Sequence, residues 1–348
     1  MVAGCWRRAT GTGSTCRLKE AVWASPRVQL LEAHAAAPGK VILFGEHAVV
    51  YGEPSLSLAI NKRTRVSGQA VGDAFTVNGF PLDAIHHSYI QKAVGLHWRD
   101  GPVRLQTESD IPSGSGVGSS AALCVGVCAV LLRLQSDGPV SPEAVARAAF
   151  QSEFETQGAA SPNDTTVATA GGGVLLSPTR IERPDVAFLW QITREARAWN
   201  AHRVNVPKLP LVVGHSGSKG NTAEQVAKVR RFVERSGFAR DIIKDMGRIT
   251  MEGVDALRRG DLRAVGDLMN RAHSHLHTLG VDTPKLGELV AEARRVPGTL
   301  GAKITGAGGG GSMLVLTERP DEVRFHLERL GARAFLVEPA QVGVEVRP

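Results

Sequence analysis

The sequence predicts an α+β protein of two domains, and three observations carry that reading. Runs rich in Val, Ile and Leu with strand-like length crowd the first half. Apolar residues at three-and-four spacing dominate 223–294. The 348 residues exceed the ~100–200 of one ordinary domain. The change of texture falls around 190–210, giving an N-terminal unit of 33–200 and a C-terminal unit of 201–348. A hydrophobic share of 43% against 22% charged residues is a globular balance, not a disordered one.

Taken in order, 40–44 and 57–66 read as strands, with Tyr51-Gly52-Glu53-Pro54 as the turn between their neighbourhoods. Two further strands, 75–77 and 103–107, flank a helix over 84–98. Pro112-Ser113-Gly114-Ser115-Gly116-Val117-Gly118-Ser119-Ser120 then opens a helix whose body is the apolar run 121–132. Ser141-Pro142-Glu143 starts the next helix, with proline at its first position, towards Gln157. Short strands follow at 174–176, 186–190 and 209–213. Helices occupy 223–294, where Val226, Val229, Phe232 and Val233, then Leu262, Val265, Leu268 and Met269, mark the buried stripes. Strands at 302–305 and 313–316 bracket a glycine run, and a helix over 323–330 precedes two closing strands. No repeat period is present.

The net charge of +7 is uneven. Arg7, Arg8, Arg17, Lys19 and Arg27 against Glu20 give +4 within 1–31, leaving +3 for the other 317 residues. The basic leader, 1–32, reads as flexible chain: a transit peptide, a loose extension or a misplaced start. The longest apolar run has twelve residues, too short for the ~20 that cross a bilayer. Four cysteines make no disulfide framework and point to a reducing, cytoplasmic compartment. Aromatics interleaved with basic residues are missing, so a nucleic-acid partner is not expected.

Three glycine-bearing segments carry the chemistry. In 112–120 glycines allow close backbone approach, and the helix that follows aims free N–H groups and a partial positive charge into the loop. That combination reads as a phosphate cradle in preference to a plain turn; it is not a Walker A loop, because no lysine follows the last glycine. Lys303-Ile304-Thr305-Gly306-Ala307-Gly308-Gly309-Gly310-Gly311-Ser312 is open between a hairpin turn and a ligand loop. Ala37-Pro38-Gly39-Lys40 places a lysine at a strand start, with Glu46 and His47 at the strand's end.

The order Pro-Gly-Lys, then Pro-x-x-x-Gly-x-Gly-Ser-Ser-Ala, then Thr-Gly-Ala-Gly-Gly-Gly-Gly resembles the GHMP kinase superfamily. The continuation Gly45-Glu46-His47-Ala48-Val49-Val50-Tyr51-Gly52 sharpens the resemblance to its mevalonate kinase family, and Ser161-Pro162-Asn163-Asp164 looks like the archaeal or bacterial form. The resemblance implies a ribosomal-protein-like N-terminal α/β domain, a ferredoxin-like C-terminal α+β domain, and a homodimer with no membrane association. It implies ATP and mevalonate as substrates and Mg²⁺ as cofactor. It further implies Asp164 as base with Lys40 beside it, Ser120 and Glu153 as Mg²⁺ ligands, and phosphate binding by Pro112, Ser113, Gly114, Ser115, Gly116, Val117, Gly118, Ser119, Ser120, Ala121 and Ala122. Lys40, Glu46, His47 and Asp164 would face the alcohol, and Gly306, Ala307, Gly308, Gly309 and Gly310 would support the cleft. The alternatives are another small-molecule kinase of the superfamily and a catalytically silent metabolite-binding relative.

Each role has a competing plain reading. Asp164 alone would be a helix cap for 165–170, and Glu153 alone a solvated helix face. His273, His275 and His277 alternate along a helix but lack a third metal ligand. Cys124 and Cys128 are core thiols. The segment 214–222 reads as a mobile loop with a lid role.

Overall fold

The computed structural model describes residues 32–112, 114–158 and 161–348. The leader as far as residue 31, Ser113, Ala159 and Ala160 lie outside the described residues.

The first unit is built on a long antiparallel pair, β1 (Glu32–Phe44) and β2 (Ser55–Gln69), joined through a 3₁₀ turn at Ala48–Tyr51. The strand read at 40–44 thus begins eight residues earlier, and Glu32, counted with the leader, is its first residue. Two short strands, β3 (Thr76–Val77) and β4 (Phe80–Pro81), and helix α1 (Ser88–His97) lead to β5 (Arg104–Ser109). Then come α2 (Ser119–Leu134), α3 (Pro142–Gln157) and α4 (Asn163–Ala170). The sheet is completed by β6 (Gly173–Ser177), β7 (Val186–Arg194) and β8 (Arg197–Val204). Its order is β4-β3-β5-β2-β6-β8-β7, with β1 on the other edge of β2.

Helix α2 is apolar nearly all round because it is buried nearly all round: it packs on β1 and β2 and is covered by α1 and α3. Helix α3 starts where the sequence places it, with Ser141 accepting from the Ala144 N–H and proline in the first turn. The strand β8 is not legible in the sequence because buried polar residues break its apolar pattern. Its Asn200 donates to the Pro178 carbonyl, and His202 takes the Ile181 N–H on Nε2.

The second unit begins with β9 (Leu211–His215) and four helices, α5 (Thr222–Arg235), α6 (Gly237–Arg259), α7 (Leu262–Thr278) and α8 (Pro284–Arg295). It ends with the hairpin β10 (Thr299–Thr305) and β11 (Ser312–Thr317), then α9 (Pro320–Arg329) and β12 (Arg333–Val337). The sheet order β10-β11-β9-β12, all antiparallel, is a ferredoxin-like βαββαβ with extra helices in its first crossover. The last strand, β13 (Glu345–Arg347), leaves this unit and pairs with β1, so the chain end belongs to the first sheet. That sheet also runs to Val204, four residues past the boundary read at 200.

Candidate active site

Strand β1 delivers Lys40, and α4 delivers Asp164. The Lys40 Nζ lies 2.9 Å from Asp164 Oδ2, with the lysine side chain 4% exposed and the aspartate 32%. The cation is therefore held inside the protein while the carboxylate still meets solvent. Asp164 is not the helix cap: α4 starts at Asn163 with Pro162 in the cap position, so Asp164 sits in the first turn, where the helix dipole favours its charge.

The loop before α2 is shaped as the cradle reading requires. Gly114, Gly116 and Gly118 have φ of 72°, 72° and 82°, a conformation that side-chain-bearing residues avoid. A Cβ on Gly118 would also stand 2.8 Å from Lys40 Cγ. Lys40 N–H donates to the Val117 carbonyl at 2.9 Å, tying the loop to the lysine's own strand. Among the described residues no side chain caps α2, so its first N–H groups remain available to an anion. Ser115 turns its hydroxyl back onto the Pro112 carbonyl at 2.6 Å.

Glu153 projects from α3 and is buried. Its Oε1 accepts from Gln157 at 3.1 Å, while Oε2 has no hydrogen-bond partner among the described residues. Burial, reinforced by the Asp164 charge, pushes its carboxyl up to about 8, against the opposing pull of Lys40. A buried carboxylate with one unsatisfied oxygen fits a hard divalent cation, for which oxygen ligands are the natural set. Ser120 is the second residue of α2, and Gln157 also donates to the Tyr89 phenol at 3.2 Å.

Glu46 and His47 each find a partner on the glycine hairpin's strand or turn. Glu46 forms a fully buried ion pair with Lys303. Its Oε2 is left without a hydrogen-bond partner among the described residues, and burial holds its carboxyl above the usual range although Lys303 and Lys40 pull it down. The His47 ring donates from Nε2 to the Ala307 carbonyl at 2.9 Å, and burial lowers its pKa. Thr305 completes the seam, accepting from Ile42 N–H and donating to the Ile42 carbonyl, both at 3.1 Å.

The glycine run resolves into a hairpin whose glycines pack inside the second unit. Gly309 N–H donates to the Val281 carbonyl at 2.8 Å, and Gly311 N–H to the Ser218 carbonyl at 2.8 Å. The segment 214–222 is therefore docked on this hairpin through Ser216 and Ser218. Ser312 joins the hairpin to the phosphate loop, donating to the Ser115 carbonyl at 2.5 Å.

Sequence reasoning missed Tyr89, Gln157, Lys303 and the serines at 55 and 57. Gln157 had a readable signal, one helical turn after Glu153; the others are brought in by long-range pairing. Among the described residues no group of three His, Cys, Asp or Glu is placed to hold a metal. His275 pairs with Asp245, and His273 lies among Arg294 and Lys303 as well as Asp282, its pKa lowered to about 4 chiefly by burial. Cys124 and Cys128 are buried free thiols.

Residues 83–172 match the family described as GHMP kinases N terminal domain, and residues 254–335 that described as GHMP kinases C terminal. The mevalonate kinase of Pyrococcus furiosus is 33% identical over 90% of this chain and 97% of that protein. That of Methanothermobacter thermautotrophicus is 36% identical over 82% and 90%. The fold is shared with the crystal structure of L. major mevalonate kinase in complex with R-mevalonate, at TM-score 0.70 and 24% identity over 87% of this chain and 94% of that one.

Proposed function

This chain belongs to the mevalonate kinase family of the GHMP kinases, and from that premise we infer that it transfers the terminal phosphoryl group of ATP to the primary hydroxyl of mevalonate, giving 5-phosphomevalonate and ADP. The observation that supports this most is the contact of Lys40 with Asp164 beside an uncapped helix N-terminus.

Phosphoryl transfer asks a protein mainly to position reactants and to balance charge on oxygens. The loop 112–120 and the first turn of α2 supply N–H donors for the ATP phosphates. Asp164 takes the hydroxyl proton as the alcohol oxygen bonds to phosphorus and the bond to ADP breaks. Lys40 holds the Asp164 carboxylate in place and stabilises the negative charge on the attacking oxygen. Glu153 and Ser120 would hold Mg²⁺, which supplies further charge neutralisation at the phosphates when bound. Glu46 and His47 are read as lying on the acceptor side of the site, where Glu46 pairs with Lys303 and His47 holds the seam to Ala307. A homodimer and cytoplasmic residence complete the reading; sedimentation in solution tests the first. No helix among the described residues is long and apolar enough to cross a membrane.

ADP release measured with mevalonate, phosphomevalonate, homoserine and galactose tests the substrate. Turnover confined to mevalonate is expected; turnover on another alcohol with none on mevalonate would overturn the assignment.

A further inference from the structure

We propose that Asn163 is a positioning residue that fixes the plane of the Asp164 carboxylate, and that β2 sets Asn163 through Ser55 and Ser57. The proposal rests on the reading of Asp164 as the base.

Lys40 holds only one oxygen of that carboxylate, Oδ2. A carboxylate pinned at one oxygen can still pivot about that contact, carrying its other lone pairs with it. Asn163 removes this freedom: its Nδ2 donates to Asp164 Oδ1 at 3.2 Å. The two bonds come from different elements, β1 and α4, and together they define the orientation of the group.

Helix geometry does not produce the Asn163–Asp164 bond by default. Consecutive residues on a helix point about 100° apart, and side chains at i and i+1 do not face each other. The Asn163 amide reaches its neighbour because its far side is gripped. Ser57 Oγ lies 2.9 Å from Nδ2 and 3.2 Å from Oδ1, and Ser55 Oγ donates to Oδ1 at 3.4 Å. All three side chains are buried, at 2% exposure for Asn163, 1% for Ser55 and 0% for Ser57. The amide's orientation follows from its partners: an ionised carboxylate only accepts, so the atom facing Asp164 is Nδ2, and Oδ1 is left for the hydroxyls.

The serines stand two apart on β2 and so share a face of the strand. Ser57 pairs in register with Ile42 on β1, two residues along from Lys40. One strand pair therefore carries the lysine for Oδ2 and the anchor of the amide for Oδ1. The base is aimed by the β1–β2 ladder from both sides, which is the arrangement a proton acceptor needs when a displacement of about 1 Å can cost about 10²-fold in rate.

The test is steady-state kinetics on the full chain, with thermal unfolding in parallel. Asn163→Ala is expected to lower kcat about 10–100-fold, as loss of a supporting hydrogen bond does. KM for ATP and for mevalonate should each stay within about threefold, because neither substrate contact is removed. Ser57→Ala keeps the amide but loosens it, so kcat should fall less, again at nearly constant KM. In the double variant kcat should match Asn163→Ala, since Ser57 acts through Asn163. Wild-type kcat in folded Asn163→Ala overturns the proposal, as do losses that multiply in the double variant or that merely track the folded fraction. Should Asn163→Ala not fold, wild-type kcat in Ser57→Ala overturns it instead. Asp164→Asn assayed beside these separates the premises. An active Asp164→Asn removes the base reading, whereas an inactive one with a fully active Asn163→Ala removes only the role given to Asn163.

Discussion

Lys40, Asp164 and Glu153 come from β1, α4 and α3, three elements that meet only when the first unit is folded. Lys40 stood out in the sequence as a lysine at a strand start beside a glycine, whereas Asp164 and Glu153 came only from the family resemblance, since alone they read as a helix cap and a solvated helix face. What the sequence did not disclose is how each is held: Asn163 behind Asp164, and Gln157 and Tyr89 around Glu153. Those partners are ordinary polar residues whose roles arise from packing. Glu153 yields a prediction with a definite sign. Its folded pKa of about 8 lies above the ordinary 4.5, so the fold favours the neutral form. The stability this group contributes is complete below pH 4.5 and is lost as pH rises through about 8. Metal-free protein should therefore lose melting temperature across that window, and Glu153→Gln should flatten the decline. Identical slopes for the two proteins would contradict the assignment of the buried carboxyl.

At the scale of elements, β10 and the loop before α2 explain the two glycine motifs differently. Strand alternation turns Lys303 and Thr305 to one side, and Ala307 just beyond continues the period. All three meet β1 or the turn after it: Lys303 pairs with Glu46, Thr305 with Ile42 and Ala307 with His47. The sequence left this motif open between hairpin and ligand loop because glycines serve both; the long-range partners decide for the hairpin and a seam between units. Lys303→Met leaves Glu46 buried and unpaired, which should cost about 3–5 kcal/mol of stability in denaturant unfolding. Adding Glu46→Gln should restore most of it, because no unpaired charge then remains; a double variant as unstable as the single one would contradict this. The loop before α2 is the opposite case, with glycines required by backbone angle. Gly118→Ala forces a Cβ into Lys40 at a φ of 82°. It should lower kcat/KM for ATP about 10²-fold, as a misplacement of about 1 Å does, and an unchanged value would contradict the cradle.

Over the whole molecule, the chain end closes the first unit. The Asn61 N–H donates to the Glu338 carbonyl at 3.0 Å, Gly172 N–H to the Ala340 carbonyl at 2.7 Å, and Val344 N–H to the Thr169 carbonyl at 3.1 Å. Arg63 binds the carbonyls of Val342 and Gly343. These bonds brace the C-terminal end of α4, whose first turn carries Asp164. Deleting 338–348 should therefore lower both melting temperature and kcat, although none of those residues carries a catalytic role; unaltered circular dichroism melting would contradict the brace. Local pattern could not reveal it, since a three-residue strand returning to pair with the first strand of the chain leaves no periodicity to read. The two-unit organisation was legible because it rests on composition, and the net charge of +7 proved uninformative because the charge used at the site is Lys40 and a helix end.

The central claim is that Asp164 accepts the proton of the mevalonate hydroxyl as phosphoryl transfer proceeds. A single-turnover measurement with labelled ATP, excess enzyme and mevalonate, paired with calorimetric binding of mevalonate, compares wild type with Asp164→Asn most directly. The account predicts 5-phosphomevalonate from the wild type and transfer slowed at least about 10²-fold in Asp164→Asn, with mevalonate binding retained within a few-fold. Equal transfer rates in the two proteins would contradict it.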